Sequence, residues 1–245
     1  MKKNYQITRS EFDSNLLSKE VAKVSLTTPD AENFKNLIND LEQTKFEIIM
    51  VKSPFTALSK LTELPWKNTN YLLALSDIKL DFAFNSNKLQ QSDTVWSDYK
   101  FSTEFSPFDI EQFKFISRQI GIVSRFAEEF GTPVAIKLYD QWIENLVKKE
   151  TIFTARAKTG EVAALVATTK SENNIDLALV AAHPAHSGKG LTKALLSFAT
   201  LELSKQKMQI TVSARVNNQT AIRLYEGTGF RNNNIRMDWT LTRIS

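Results

Sequence analysis

The chain has 245 residues, 42% of them hydrophobic and 24% charged, with a formal charge of +4 and no cysteine. That balance is ordinary for globular proteins and leaves room for two small cores. The absence of cysteine excludes disulfide scaffolds, thiolate nucleophiles and Cys-ligated metals. The Lys and Arg residues are scattered, without the dense run that tracks a nucleic-acid backbone. No stretch approaches the roughly 18 apolar residues of a membrane span, and no apolar segment follows the basic Met1-Lys2-Lys3 start. The expectation is a soluble, cytoplasmic protein with neither a nucleic-acid nor a membrane partner.

In chain order, Val21 to Leu26 alternates apolar and polar, as a half-buried strand does. Thr28, Pro29 and Asp30 give a helix-start signal, and Phe34, Leu37, Ile38 and Leu41 recur at helical spacing. Phe46 to Val51 is a strand-type apolar run. Tyr71 to Leu75 and Ile78 to Phe84 read as two further strands separated by Ser76 and Asp77. The polar stretch from Asn85 to Pro107 marks a division, with an N-terminal α/β subdomain over residues 1–100 and a second domain over 101–245.

The second domain opens with a helix from the cap candidate Asp109 through Phe113, Phe115 and Ile116. A linking stretch with Gly121, Gly131 and Pro133 leads to a helix from Val134 to Lys148. Thr151 to Ala157 and Glu161 to Thr168 flank a turn at Lys158-Thr159-Gly160, a hairpin signature. Ile175 to Ala182 is apolar almost throughout, as in a strand covered on both faces. A glycine-bearing loop, a helix with Leu191, Ala194, Leu195 and Phe198 on one stripe, an alternating strand from Met208 to Val216, a short helix around Ala221, Leu224 and Tyr225, and a strand from Ile235 to Leu241 complete the order ααβββαβαβ.

Chemistry concentrates where the buried strand runs into His183-Pro184-Ala185-His186-Ser187-Gly188-Lys189-Gly190 and then directly into a helix. Glycines let a backbone approach a ligand closely, and first-turn N–H groups lack intrahelical partners. Together with the helix dipole these amides suit a pyrophosphate. Strand, Gly-x-Gly and helix alone are equally compatible with a plain tight turn. Two histidines in a loop with no carboxylate beside them in sequence do not make a metal site, so no metal is expected.

A second segment, Asn217-Asn218-Gln219-Thr220-Ala221-Ile222-Arg223-Leu224-Tyr225-Glu226-Gly227-Thr228-Gly229-Phe230, changes the weight of the first. In combination the two resemble the acetyl-CoA loop and the "N-x-x-A-x-x-L-Y-E-x-x-G-F" helix of the GNAT superfamily of N-acetyltransferases, over roughly Thr151 to Leu241. The resemblance implies a mixed central α/β sheet flanked by helices and acetyl-CoA as cosubstrate. It implies that Val180, Ala181 and Ala182 splay away to pair with pantetheine amides, and that Gly188, Lys189, Gly190, Leu191, Thr192 and Lys193 hold the pyrophosphate. By the same resemblance, Asn218 bonds the pantetheine or positions its helix, and Tyr225 lies by the thioester sulfur as the catalytic acid. A phenol with an ordinary pKa near 10 is protonated at neutral pH and can donate to a departing thiolate. Ser187 stands where the family carries Arg or Gln, and Thr192 where it carries a small residue. Neither Asp176 nor His183 is singled out as the base.

Further segments, Ser124-Arg125-Phe126, Leu138-Tyr139-Asp140-Gln141-Trp142-Ile143-Glu144-Asn145 and Phe12-Asp13-Ser14-Asn15-Leu16-Leu17, are similar to stretches of bacterial dTDP-fucosamine (dTDP-4-amino-4,6-dideoxygalactose) acetyltransferases. That implies a nucleotide-linked amino sugar as the small-molecule acceptor, Arg125 on its diphosphate, Tyr139 and Trp142 walling the sugar, and a homodimer. Other amine acceptors, and a non-catalytic acyl-CoA-binding module, stay open.

Overall fold

A computed structural model describes residues 4–26, 31–57, 69–85 and 97–244. The chain divides into two compact units, residues 1–80 with 234–245, and residues 81–233. The division therefore lies earlier than the polar stretch suggested, and the C-terminal strand belongs with the first unit. The reason is apolar: Met237, Trp239 and Leu241 complete that unit's core.

The first unit contains β1 (Tyr5–Arg9), α1 (Glu11–Leu17), β2 (Val21–Leu26), α2 (Ala31–Glu42), β3 (Ile48–Pro54), the start of β4 (Tyr71–Phe84) and most of β10 (Phe230–Arg243). Its strands lie in the order β1-β2-β3-β10-β4. The β2–β3 pair is parallel, and β1 and β10 are antiparallel to their neighbours β2 and β3. Ala22, Val24, Leu37, Leu41, Ile49, Val51, Tyr71, Met237, Trp239 and Leu241 form one buried cluster. The helix-start signal at Thr28, Pro29 and Asp30 and the side chain of Phe34 lie outside the described residues.

Two differences from the sequence reading have tertiary causes. The strands expected on either side of Ser76 and Asp77 run on as the single strand β4, where Ser76 Oγ shares a 2.6 Å hydrogen bond with the Thr240 hydroxyl and Asp77 is buried. The extended backbone thus finds partners for polar residues that resemble a turn in isolation. β1 and α1 carry little local pattern; α1 is seven residues long, too short for a sustained period.

The C-terminal end of β10 is fastened by Arg243. Its guanidinium donates to the carbonyls of Phe46 (3.1 Å), Leu41 (3.3 Å) and Thr44 (2.7 Å), donates to the Tyr71 hydroxyl and lies over the Tyr71 ring. Arg243→Ala is expected to destabilise the protein by about 2–3 kcal/mol, because several half-buried carbonyls lose a charged donor together. Urea unfolding checks this: the midpoint should fall while the slope is kept.

The second unit holds β5 (Tyr99–Ser102), α3 (Asp109–Gly121), α4 (Arg125–Phe130), α5 (Thr132–Lys149), β6 (Ile152–Ala157), β7 (Val162–Lys170), β8 (Asn174–Ala182), α6 (Leu191–Ser204), β9 (Gln209–Arg215) and α7 (Gln219–Glu226). The strand order β9-β8-β7-β6-β5 is antiparallel except for the parallel β8–β9 pair, so this is a mixed sheet flanked by helices. β6 and β7 form the expected hairpin, with Gly160 at φ +90° in its turn.

Asp109 begins α3, and its carboxylate accepts Arg156 Nη1 (3.0 Å), Arg156 Nη2 (2.8 Å) and the Ser106 amide (2.7 Å). The cap candidate is therefore also a tie between α3 and β6. Burial pushes the Asp109 pKa up, but the hydrogen bonds from Arg156 and Ser106 outweigh it and hold the carboxyl below its ordinary range. α3 and α5 cross closely: a Cβ on Gly121 would lie 3.1 Å from Tyr139 Cδ2. The stretch expected as a linker contains α4, whose six residues are too few to show a period. No helix among the described residues is long and apolar enough to cross a membrane.

Candidate acyl-transfer site

The site begins with a failure of pairing. β8 and β9 register in parallel from Asn174↔Gln209 to Asp176↔Thr211, and there the pairing stops. β8 continues to Ala182 on β7 alone, with a register shift opposite Ala167 and Thr168 that leaves Ala178 as the extra residue. A bulge bends a strand and increases its twist, which accounts for the divergence. In the alternation of an antiparallel pair the His183 amide on the Ala163 carbonyl makes Ala181 face β7, so it is the backbone groups of Val180 and Ala182 that turn to the β9 side, where the register has ended, and unpaired backbone groups seek a partner. β8 also departs from the expected double coverage: its odd-numbered residues are buried and Asn174, Asp176, Ala178, Val180 and Ala182 are half-buried.

The chain then makes a single 3-10 turn, Pro184–His186, and reaches α6 through two left-handed glycines, Gly188 (φ +78°) and Gly190 (φ +79°). Gly190 is the N-cap residue and supplies no side-chain bond to the helix, whose ladder opens with the Ala194 amide on the Gly190 carbonyl at 3.1 Å. The amides of Leu191, Thr192 and Lys193 therefore precede that ladder at the positive end of the helix dipole. Gly188, Lys189, Gly190 and Lys193 are exposed, and Leu191 turns its side chain into the core. Ser187 bonds back to the His183 carbonyl at 3.3 Å, so the residue in the family's Arg or Gln position closes the loop on itself.

Asn218 caps α7 by accepting the Ala221 amide at 3.0 Å, a helix-positioning role. Seven residues on, Tyr225 is buried, edge-on to Phe82 (ring centroids 5.8 Å) and tilted against Phe230 (6.0 Å). Burial raises its pKa far above the ordinary value, and the negative charge of Asp176 raises it further. Asp176 accepts a 3.0 Å hydrogen bond from Thr211 Oγ1, which in turn accepts Asn174 Nδ2 at 2.9 Å. This polar row sits on the last paired rungs before the strands part. Sequence spacing alone gave no reason to expect the charge of Asp176 to act on Tyr225.

The three acceptor candidates separate. Arg125 is buried, pairs with Glu129 at 3.3 Å, lies 4.4 Å over the Phe126 ring, and keeps its Nε without a hydrogen-bond partner among the described residues. Trp142 is half-buried and edge-on to Tyr139 at 5.5 Å. Tyr139 itself is packed into the α3–α5 crossing against Gly121, so it is a core residue rather than an open wall. Nearby, Arg215 at the end of β9 donates to both Glu128 oxygens at 2.9 Å and to the Val123 carbonyl at 3.4 Å, fixing the turn before α4.

The two histidines correct one argument made from the sequence. A carboxylate does lie beside them: Glu161, from the β6–β7 turn, is 3.1 Å from His186 Nε2 and 3.4 Å from His183 Nε2.

Residues 148–232 match the family model of the acetyltransferase (GNAT) domain. No curated protein matches the chain. Among solved structures, a functionally unknown conserved protein from Staphylococcus epidermidis aligns over 99% of this chain and 92% of its own at 12% identity, with a TM-score of 0.65. A GCN5-related N-acetyltransferase from Sphaerobacter thermophilus aligns over 98% and 76% at 12% identity, TM-score 0.59. A protein assigned to the GNAT acetyltransferases, from Novosphingobium aromaticivorans, aligns over 91% and 84% at 14% identity, TM-score 0.55. At such identities the likeness concerns the fold, a mixed sheet flanked by helices. Over residues 148–232 the chain is similar to the GNAT acetyltransferase domain, and an acyltransferase is the enzyme class that likeness supports.

Proposed function

We propose that the chain is an acetyl-CoA-dependent N-acetyltransferase whose acceptor is the amine of a nucleotide-linked amino sugar. The observation that carries the cofactor reading is the parting of β8 from β9 beside a helix that begins on two left-handed glycines. A pantetheine arm offers amides that match the backbone groups of Val180 and Ala182 on the open side of β8. A pyrophosphate suits the amides of residues Gly188 to Lys193, with the exposed Lys189 and Lys193 adding charge.

In the transfer step the amine nitrogen bonds to the thioester carbon, the C–S bond breaks, and the sulfur leaves with the electron pair. Asp176 is the carboxylate the fold brings close to receive, through water, the proton lost by nitrogen. Tyr225 is the donor toward sulfur. An alkyl thiol of pKa about 8.5 holds a proton less tightly than this phenol, so full transfer is uphill. The phenol acts by a charge-assisted hydrogen bond to the developing thiolate.

The acceptor half rests on Arg125. A buried guanidinium with an unpartnered Nε is suited to a phosphate oxygen, and the half-buried Trp142 offers a face for a sugar ring. The test is release of the CoA thiol from acetyl-CoA with a panel of amines: amino-sugar nucleotides, free amino sugars, polyamines and amino acids. The expected result is turnover on the nucleotide-linked amine, reduced at least ten-fold in Arg125→Ala. Turnover confined to polyamines or amino acids would reject the sugar-nucleotide assignment and keep the acetyl transfer.

A further inference from the structure

Outside the transfer site, Glu161, His183 and His186 form a group of ligating side chains among the described residues. Their donor atoms all lie within 4.8 Å of one another. The reason they meet is topological. β7 and β8 are antiparallel with Ala164 opposite Ala182, and the His183 amide donates to the Ala163 carbonyl at 2.8 Å. That register carries His183 to the end of the hairpin on which Glu161 sits. The 3-10 turn Pro184–His186 then folds His186 back, its amide donating to the His183 carbonyl at 2.9 Å.

The separations are informative. His186 Nε2 is 3.1 Å from one Glu161 oxygen and His183 Nε2 is 3.4 Å from the other. Zinc bonds of about 2.0–2.2 Å in a tetrahedron require ligand atoms about 3.3–3.6 Å apart. The two separations, each to a different oxygen of the carboxylate, are close to that spacing and the remaining edge is within 4.8 Å; 3.4 Å is long for a hydrogen bond. Outer partners orient both rings. The Tyr99 hydroxyl is 2.9 Å from His186 Nδ1; without an ion Nε2–H donates to Glu161, and on ligation through Nε2 the ring proton would sit on Nδ1 and donate to the Tyr99 oxygen. Phe115 stacks on His183 at 5.0 Å, and Tyr99 is edge-on to His186 at 5.6 Å. Side-chain exposure of 22% for His183, 14% for His186 and 41% for Glu161 leaves an open approach for an ion and for a fourth, water ligand. The hydrogen bond with His186 is the largest influence on Glu161. It and the nearby imidazoles hold the carboxyl below its ordinary pKa against the opposing effect of desolvation, so it is ionised at neutral pH.

We propose that Glu161, His183 and His186 form a binding site for a zinc-class divalent cation, with Tyr99 as the residue that positions His186. His183 Nδ1 accepts the Ala185 amide at 3.2 Å, a contact that ligation through Nε2, with the ring proton on Nδ1, would open. The site lies in the turn that leads to Gly188, so an ion there would fix the start of the cofactor loop without touching the transfer groups. This inference does not depend on the acyl-transfer reading.

The experiment uses the full chain without an affinity tag, stripped with EDTA and free of acetyl-CoA. ZnCl2 is titrated calorimetrically and CoCl2 is followed by its visible d–d absorption, which reports four-coordinate geometry. One equivalent per chain is expected, with zinc raising the melting temperature. His186→Ala should weaken binding more than 100-fold and abolish the thermal shift. Tyr99→Phe keeps all three ligands and should weaken it by about 10–100-fold, so the test survives if the alanine variant fails to fold. Absence of saturable uptake in the parent overturns the proposal. So does uptake that is unaltered in both Glu161→Gln and His186→Ala.

Discussion

Tyr225→Phe is expected to lower kcat for acetyl transfer about 100-fold while leaving acetyl-CoA affinity within a factor of about three. The magnitude is that of removing one donor aimed at developing charge, about 10²–10³ in rate. The selectivity for kcat follows because the thiolate exists only as the C–S bond breaks, so the hydrogen bond is stronger in the transition state than in the bound thioester. The substitution is close to isosteric, and Phe can keep the edge contact with Phe82 and the tilted contact with Phe230. Stopped assays of product with calorimetry of acetyl-CoA binding separate the two quantities. The pH profile gives a second check. Burial first, and Asp176 second, raise the phenol pKa above its ordinary value of about 10. Ionisation of Tyr225 therefore sets no alkaline limit to the rate at pH 9 or 10. A decline in parent activity near pH 9 that vanishes in Tyr225→Phe would contradict this environment.

Gly190→Trp is expected to weaken acetyl-CoA binding at least 100-fold, equivalent to about 2.7 kcal/mol. Gly190 holds φ +79° at the head of α6, a conformation that costs an L-residue roughly 1–2 kcal/mol. The indole would also stand over the first-turn amides proposed to hold the pyrophosphate. Calorimetric titration of both proteins checks the effect, with circular dichroism confirming that the variant keeps its helices. Equal affinity in the two would place the cofactor away from this loop.

Much of the second unit was legible because its elements carry their own period. The hairpin at Lys158-Thr159-Gly160, the strand ending at Ala182, and the helices begun at Gly190 and Asn218 each announce themselves over ten or so residues. β5 and α4 did not, because four and six residues are too few to show a period. β4 was read as two strands because Ser76 and Asp77 look like a turn until Thr240 is brought across to the Ser76 hydroxyl.

The sequence by itself determined the local machinery of the longer elements: the hairpin, the buried strand, two glycines free to turn left-handed ahead of a helix, and a tyrosine two turns into the helix capped by Asn218. Tertiary structure alone decided what those parts face. The bulge at Ala178 opens β8 from β9, Asp176 on β8 comes to act on Tyr225 on α7, Tyr139 is committed to the α3–α5 crossing, and Glu161 reaches two histidines from a distant turn. Periodicity and turn chemistry are properties of neighbouring residues. Charge, burial and ligand geometry depend on residues tens of positions apart, and only the register of the sheet brings those together.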